Sequence, residues 1–282
     1  MELNQNELDL IIQQITAYSG IVPKDAHRTS IGRYIEQRIT ELSDDEKFEY
    51  SAYLSENPAE MSGLIDNATV NETYFFREEK QFSLLKTKLL RTLASDRCAP
   101  LKIWSAACSS GEELYSLLLI AKSCGISVHC TGSDISAAVL KKCRDGVYGK
   151  KSIRTADGAK YQYLLNPYKT ENDTIEFPKE LVSSVDIAKI NLSKLSDPEN
   201  LSNPFVQAVL PKNQDIIFIR NVFIYFTREM RKKVFATMAD KCLSKGGYIF
   251  VSMNEVASFD SAIVPPCLKK VMDGDVFYFE KC

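Results

Sequence analysis

Histidine is scarce in this 282-residue chain, which holds only two, and its eight cysteines include no Cys-x-x-Cys pair. Without closely spaced imidazole or thiolate ligands, no zinc or other metal site is expected. No stretch approaches the ~18 consecutive apolar residues of a membrane-spanning helix. A formal net charge of −2 gives no electrostatic footprint for nucleic acid. The expected partners therefore exclude nucleic acid and an inserted membrane. The start, "MELNQNELDLIIQQ", lacks the basic-then-apolar lead of a secretory signal. Neither G-x-G-x-x-G nor a phosphate loop ending in GK[ST] occurs, and residues 159–245 contain no glycine. Repeats and low-complexity tracts are also missing. What remains, 45% hydrophobic and 26% charged, is ordinary for a soluble globular protein. Cys108, Cys130, Cys242 and Cys267 lie in apolar segments and read as reduced, buried thiols of a cytoplasmic protein.

Two textures divide the chain. Up to about Ser95 the apolar spacing is helical. Leu8, Ile11, Ile12 and Ile15 form one stripe that Gly20 stops, and Ile31, Ile35, Ile39 and Leu42 form a second. A third helix surrounds Phe48 to Leu54, with Pro58 after it, and a fourth runs from about Glu78 to Leu93. From Pro100 onward, short β-branched and aromatic runs appear at 101–106, 126–132, 214–221, 247–253 and 275–280. Helical stretches at 112–123, 136–144 and 228–244 separate several of them. That alternation predicts a mostly parallel sheet covered on both faces. Thr227 suits the cap of the last helix and Gly246-Gly247 its stop. Residues 146–213 fit less well and read as an insertion, a small antiparallel hairpin or meander, with a return to the sheet near 185–192. The expected organisation is a helical domain over 1–95 and an α/β domain over 96–282, with the insertion at about 146–185.

"WSAACSSGEE" closes the first strand of that sheet. Ligands of such sheets bind beyond the carboxyl ends of the strands. Small residues let a ligand approach the backbone there, and Gly111 permits an unusual backbone angle. Glu112 and Glu113 would repel a pyrophosphate but suit a ligand carrying a cation or an amine, although acids in a first helical turn also answer the helix dipole. Asp134, about 20 residues past Gly111, stands where a ribose diol is held. A ribose with a cationic group and no phosphate describes S-adenosylmethionine. Two further stretches stand out: "NETYFFRE", where Arg77 follows two phenylalanines, and "RNVFIYF", where Arg220 and Asn221 end an apolar strand and Tyr225 follows.

Taken in order, "NETYFFRE", "IWSAACSSGEELYSL", "SDIS", "INL", "RNVFIYF" and "KGGY" resemble the CheR-type chemotaxis receptor (protein-glutamate) O-methyltransferase family. The resemblance spans about residues 67–255, and the helical region before it also resembles that family's N-terminal domain. It implies a class I S-adenosylmethionine-dependent methyltransferase (Rossmann-like) α/β sheet with an inserted small β-subdomain and an N-terminal all-α domain. It implies methyl transfer from S-adenosylmethionine, leaving S-adenosylhomocysteine, to glutamates on the cytoplasmic domain of methyl-accepting chemoreceptors. By the same likeness Asn71, Thr73, Arg77, Glu113, Asp134, Asn191, Leu192, Arg220 and Asn221 are expected at the cofactor, and Arg77 and Tyr225 at the chemistry. The sequence departs from the family pattern at Leu114, where a proline is usual, and at "SMNE" (252–255), which keeps Glu255 but lacks the histidine of "GHSE". The lack of glycine across 159–245 gives no basis for carrying over the receptor-tail docking loop of some members. Arg28, Arg33 and Arg38, spaced five apart, do not make one basic stripe on a helix. Two other readings stay open: a methyltransferase of the same fold acting on another protein or a small carboxylate, and a non-catalytic cofactor-binding signalling module.

Overall fold

The structure, a computed structural model, describes residues 3–42, 49–69, 71–95 and 98–282. Helix α1 (Gln5–Ser19) starts where the Asn4 side chain accepts the Glu7 N–H. It ends at Gly20, whose φ of 74° lets its own N–H reach the Thr16 carbonyl. Helix α2 (Asp25–Leu42) buries Ile31, Ile35 and Ile39. Helix α3 (Tyr50–Glu56) buries Tyr50 and Leu54, while Phe48 lies outside the described residues. Helix α4 (Pro58–Ala68), which the sequence reading did not foresee, follows at once. Pro58 sits in its first turn, where a missing N–H costs nothing, so it opens a helix instead of merely closing α3. These four helices share one apolar cluster running from Ile11 to Ala68.

Helix α5 (Glu79–Leu84), a π-turn at Leu85–Leu89 and α6 (Leu90–Ala94) form a continuous run. Its Phe82, Leu85, Leu89 and Leu90 pack on the sheet, not on the first four helices. The chain then alternates: β1 (Leu101–Ala106), α7 (Glu112–Ser123), β2 (Val128–Asp134), α8 (Ala137–Asp145). After α8 come β3 (Val147–Tyr148) and β4 (Ile175–Glu176), a separate antiparallel pair, with a 3-10 run at Ala159–Tyr168 between them. Helix α9 (Lys179–Val182) leads back into β5 (Val185–Lys189). Short helices α10 (Pro198–Ser202) and α11 (Pro204–Val209) precede β6 (Gln214–Ile219), α12 (Arg228–Thr237), β7 (Leu243–Phe250), β8 (Leu268–Asp273) and β9 (Val276–Lys281).

The main sheet has the order β5-β2-β1-β6-β7-β9-β8. The first five of these are mutually parallel, and β9 runs antiparallel to both neighbours. This is the mostly parallel, Rossmann-like sheet expected. Alternate residues feed opposite faces: Ile103, Phe218 and Phe250 join one apolar cluster, Trp104, Ile217 and Ile249 the other. The chain builds outward from β1 through β2 to β5, then returns to place β6 on the other side of β1. That reversal leaves a crevice at the carboxyl ends of β1 and β6.

Two expectations need correction. Thr227 does cap α12, accepting the Met230 N–H, but the helical run ends in a π-turn at Met238–Cys242. Gly246 and Gly247 therefore lie inside β7, not at a helix stop. A Cβ on Gly247 would come within 2.9 Å of the Asp215 carbonyl, and the β6–β7 register shifts nearby, so the glycine serves close strand approach. Strand β8 was missed because it is an edge strand with exposed lysines, Lys269 and Lys270, and has little apolar alternation. All eight cysteines are free; Cys143 joins the buried ones, and Cys267 is only half-buried. Among the described residues no helix is long and apolar enough to cross a membrane.

Candidate functional site

The crevice at the topological switch is a cleft with about 930 Å³ of space not filled by protein, its outer part open to solvent. Every residue expected at the site lines it: Asn71, Thr73, Arg77, Glu113, Asp134, Asn191, Leu192, Arg220, Asn221 and Tyr225. They come from five separate segments, which only the strand order brings together.

The floor is the loop after β1. Ala107, Ser109 and Gly111 all have positive φ, of 64°, 51° and 98°. At Gly111 a Cβ would sit 2.3 Å from Cys143 Sγ, so only glycine fits that turn. Asp134, at the end of β2, holds the loop: its Oδ2 accepts the Ser109 N–H (2.9 Å) and its Oδ1 the Ser136 N–H (3.0 Å). Burial pushes the Asp134 carboxyl up from its ordinary value, and these amides oppose the shift. Each oxygen keeps acceptor capacity for a hydroxyl. Ser109 also lines the cleft, and its Oγ is buried with no hydrogen-bond partner among the described residues. The sequence reading missed Ser109; its place in "CSSGEE" was the available signal.

The two adjacent glutamates have different environments. Glu113 faces the cleft and accepts from Ser105 Oγ (2.6 Å) and Arg220 Nε (2.7 Å). Glu112 points away, accepting from Ser152 Oγ and Ser110 Oγ at 2.7 Å each, so it ties the inserted segment to the loop. Burial raises the Glu112 pKa above its ordinary 4.5, partly opposed by those hydroxyls. A carboxyl whose folded pKa is raised favours the fold most when protonated, and this contribution is lost as pH climbs through the raised value. Glu112→Gln removes that titration. The stability of the wild type relative to this variant should therefore rise as pH falls from 8 toward 4.5, read from urea midpoints at each pH.

Arg220 is almost wholly buried at the end of β6. Besides Glu113, its guanidinium donates to the Arg77 carbonyl (2.8 Å) and Gln81 Oε1 (2.9 Å), and it lies 5.5 Å from the Phe82 ring centre and 5.3 Å from that of Phe218. Burial opposes its charge, but Glu113 and Glu78 more than offset this, so its pKa is raised. Arg220 is thus a brace joining β6, α7 and the Arg77 loop. Its charge is already spent within the protein.

Arg77 sits in a contorted turn, between Phe76 (φ 58°) and Glu78 (φ 60°). The turn is pinned from the inserted segment: Asp157 accepts the N–H groups of Glu78 (2.7 Å) and Glu79 (3.1 Å) and the Tyr74 hydroxyl (2.8 Å). Arg77 itself donates one Nη1 bond to the Glu72 carbonyl (3.1 Å) and lies 5.5 Å from the Tyr74 ring centre. It makes no ion pair among the described residues. After β6, Asn221 (φ 57°) turns the chain, and buried Glu255 accepts the Asn221 and Ile224 N–H groups (2.9 and 3.2 Å) and caps its own turn at Ser252. Glu255 is therefore a positioning residue for the Asn221–Tyr225 loop. Tyr225 is half-buried, and burial raises its pKa, so the phenol is neutral near pH 7. Its carbonyl accepts the Val22 N–H (3.0 Å), and Ile21 bridges to Phe226, so the end of α1 closes this side of the cleft. The Asn191 amide is engaged: it donates to the Tyr18 carbonyl (2.6 Å) and accepts from Ser193 (3.0 Å).

A family model described as "CheR methyltransferase, SAM binding domain" matches residues 71–265. The chain belongs to the CheR methyltransferase family. Over 271 residues it is 30% identical to a chemotaxis protein methyltransferase of Borreliella burgdorferi, covering 90% of this chain and 89% of that one. Over 200 residues it is 36% identical to one from Vibrio parahaemolyticus, covering 68% of this chain and 66% of that relative, just under two thirds of its length. With the Escherichia coli chemotaxis protein methyltransferase it shares 29% identity over 252 residues, 87% of this chain and 82% of the relative. The cofactor of this CheR-family chain is S-adenosylmethionine. The cleft suits it: apolar Ile135, Ile190 and Leu192 can flank a base, and the Asp134 carboxylate can accept from a sugar.

Proposed function

We propose that this chain methylates glutamate side chains on the cytoplasmic domains of methyl-accepting chemoreceptors, in the cytoplasm, forming glutamate methyl esters. The observation that carries this reading is the pairing of two arginines in one cleft, one spent and one available. Arg220 is buried against Glu113, whereas Arg77 stands at the wall with no carboxylate partner among the described residues. A planar guanidinium matches a carboxylate bidentately. The relatives, named chemotaxis protein methyltransferases, fit methyl transfer in chemotaxis.

When bound, S-adenosylmethionine supplies an electrophilic methyl on a sulfonium. An acceptor carboxylate is ionised near pH 7 and needs alignment, not a general base. Asp134 holds the sugar edge, with Asn71, Thr73 and Asn191–Leu192 along the walls. Arg77 turns one carboxylate oxygen inward by engaging the other. It must hold only loosely, because tight ground-state binding would slow transfer. Tyr225 bounds the methyl's path; its hydroxyl has no protein partner among the described residues. Tyr225→Phe should lower kcat about tenfold and Tyr225→Ala further, with cofactor affinity kept. Unchanged turnover in both variants would remove Tyr225 from the chemistry.

The test is incubation with methyl-labelled S-adenosylmethionine and receptor cytoplasmic fragments. Base-labile label released as methanol and mapped to glutamates is the expected result. Label that survives base, or appears only on other proteins, would overturn the proposal.

A further inference from the structure

Tyr74 stands behind the cleft wall: Glu72, Thr73 and Arg77 line the cofactor cleft, and Tyr74 does not. The Arg77 main chain is fixed on both sides, its carbonyl by Arg220 and the two N–H groups after it by Asp157. Its side chain is held far less. One Nη1 bond reaches the Glu72 carbonyl (3.1 Å), and the guanidinium carbon lies 5.5 Å from the Tyr74 ring centre. A long arginine with a single hydrogen bond keeps much of its rotamer freedom. The ring face is therefore the second constraint on where the guanidinium fork lies.

That ring is itself immobilised. Its hydroxyl donates to Asp157 Oδ2 (2.8 Å), the oxygen that also accepts the Glu78 N–H. Burial and the bond to Asp157 push the phenol up to about 12, so it stays a donor near pH 7. Phe75 and Phe76, next in the chain, are fully buried and anchor the segment. Arg154 lies 5.0 Å from the same ring centre, but Glu72 pairs with it at 2.6 Å. Of the two guanidinium groups at this ring, Arg77 is thus the one without a carboxylate among the described residues.

We infer that Tyr74 is a positioning residue for methyl transfer: its ring, fixed through Asp157, holds the Arg77 guanidinium at the cleft wall in the orientation that receives the acceptor carboxylate. The inference rests on the proposed function, which gives Arg77 that role. Tyr74 acts through Arg77, so its effect should vanish when the Arg77 side chain is gone.

The experiment is a double-mutant cycle on the full chain, read as single-turnover methyl transfer to receptor cytoplasmic fragments at saturating S-adenosylmethionine. Tyr74→Leu should slow transfer about tenfold with calorimetric affinity for the cofactor unchanged, and Tyr74→Phe, which keeps the ring, should stay within about threefold of wild type. In the Arg77→Ala background Tyr74→Leu should add no further loss, whereas a merely structural defect would slow both backgrounds alike. NMR reads the contact without turnover. The Arg77 side-chain protons should carry an upfield ring-current shift in the wild type and in Tyr74→Phe, and lose it in Tyr74→Leu. Transfer by Tyr74→Leu within about twofold of wild type would overturn the inference. So would equal losses in the two backgrounds, or the absence of that shift from the wild type. A shift present in the wild type with no methyl ester on any glutamate would instead count against the proposed function and leave Tyr74 as the residue that holds Arg77.

Discussion

Arg220→Met loses about 3–5 kcal/mol of unfolding free energy, a drop of roughly 10 °C in melting temperature for a chain of this size. Methionine keeps most of the length of the apolar stem and loses the guanidinium that lies near Phe82 and Phe218, so the loss is chiefly one of charge and hydrogen bonds. It comes from the groups left behind. Glu113 keeps only the Ser105 hydroxyl, while the Gln81 amide oxygen and the Arg77 carbonyl lose their shared donor. An uncompensated carboxylate next to a buried strand end is costly. The double variant Arg220→Met/Glu113→Gln should recover part of the loss, because the stranded charge is gone; non-additivity in that cycle is the signature of the pair. The same variant should also fail to bind S-adenosylmethionine, since the Arg77 turn and the β1 loop are both braced by Arg220. Urea unfolding and calorimetry read the two effects. A stability loss below about 1 kcal/mol would show the brace to be no more than a surface-grade ion pair.

Arg77→Ala should behave in the opposite way. Its guanidinium makes one backbone hydrogen bond and an aromatic contact, so stability should change by less than about 1 kcal/mol. Cofactor affinity should stay close to wild type. Turnover should fall about a hundredfold, the usual scale for a lost positioning contact. Arg77→Lys should not restore it, because a point charge cannot present the planar fork. Single-turnover rates at saturating cofactor separate this from a binding defect. Full turnover in Arg77→Ala would require another group to align the carboxylate.

The residues that line the cleft were largely legible from sequence because they fall at strand ends, in short ordered motifs. Asp134 could be placed from its distance past Gly111, and β1 and α7 were bounded as the structure has them. What stayed hidden depends on distant partners. Likeness named Glu113 rather than Glu112, but the physical cause is remote: Ser152 on one side and Arg220 on the other, some 40 and 107 positions away. Asp157 carries no motif of its own, yet it pins the Arg77 turn through bonds to residues about 80 positions earlier. Asn191 reads as a ligand contact by likeness, but its amide is committed to Tyr18 and Ser193. Helix α4 was lost to a proline that can equally end or begin a helix, and β8 to an edge strand's need for lysines.

The most direct measurement is a crystal structure of this chain with S-adenosylhomocysteine. The account predicts the ribose hydroxyls within hydrogen-bond distance of Asp134, and the thioether sulfur facing the gap between Arg77 and Tyr225. A nucleoside bound elsewhere, or a sulfur turned away from Arg77, would contradict it.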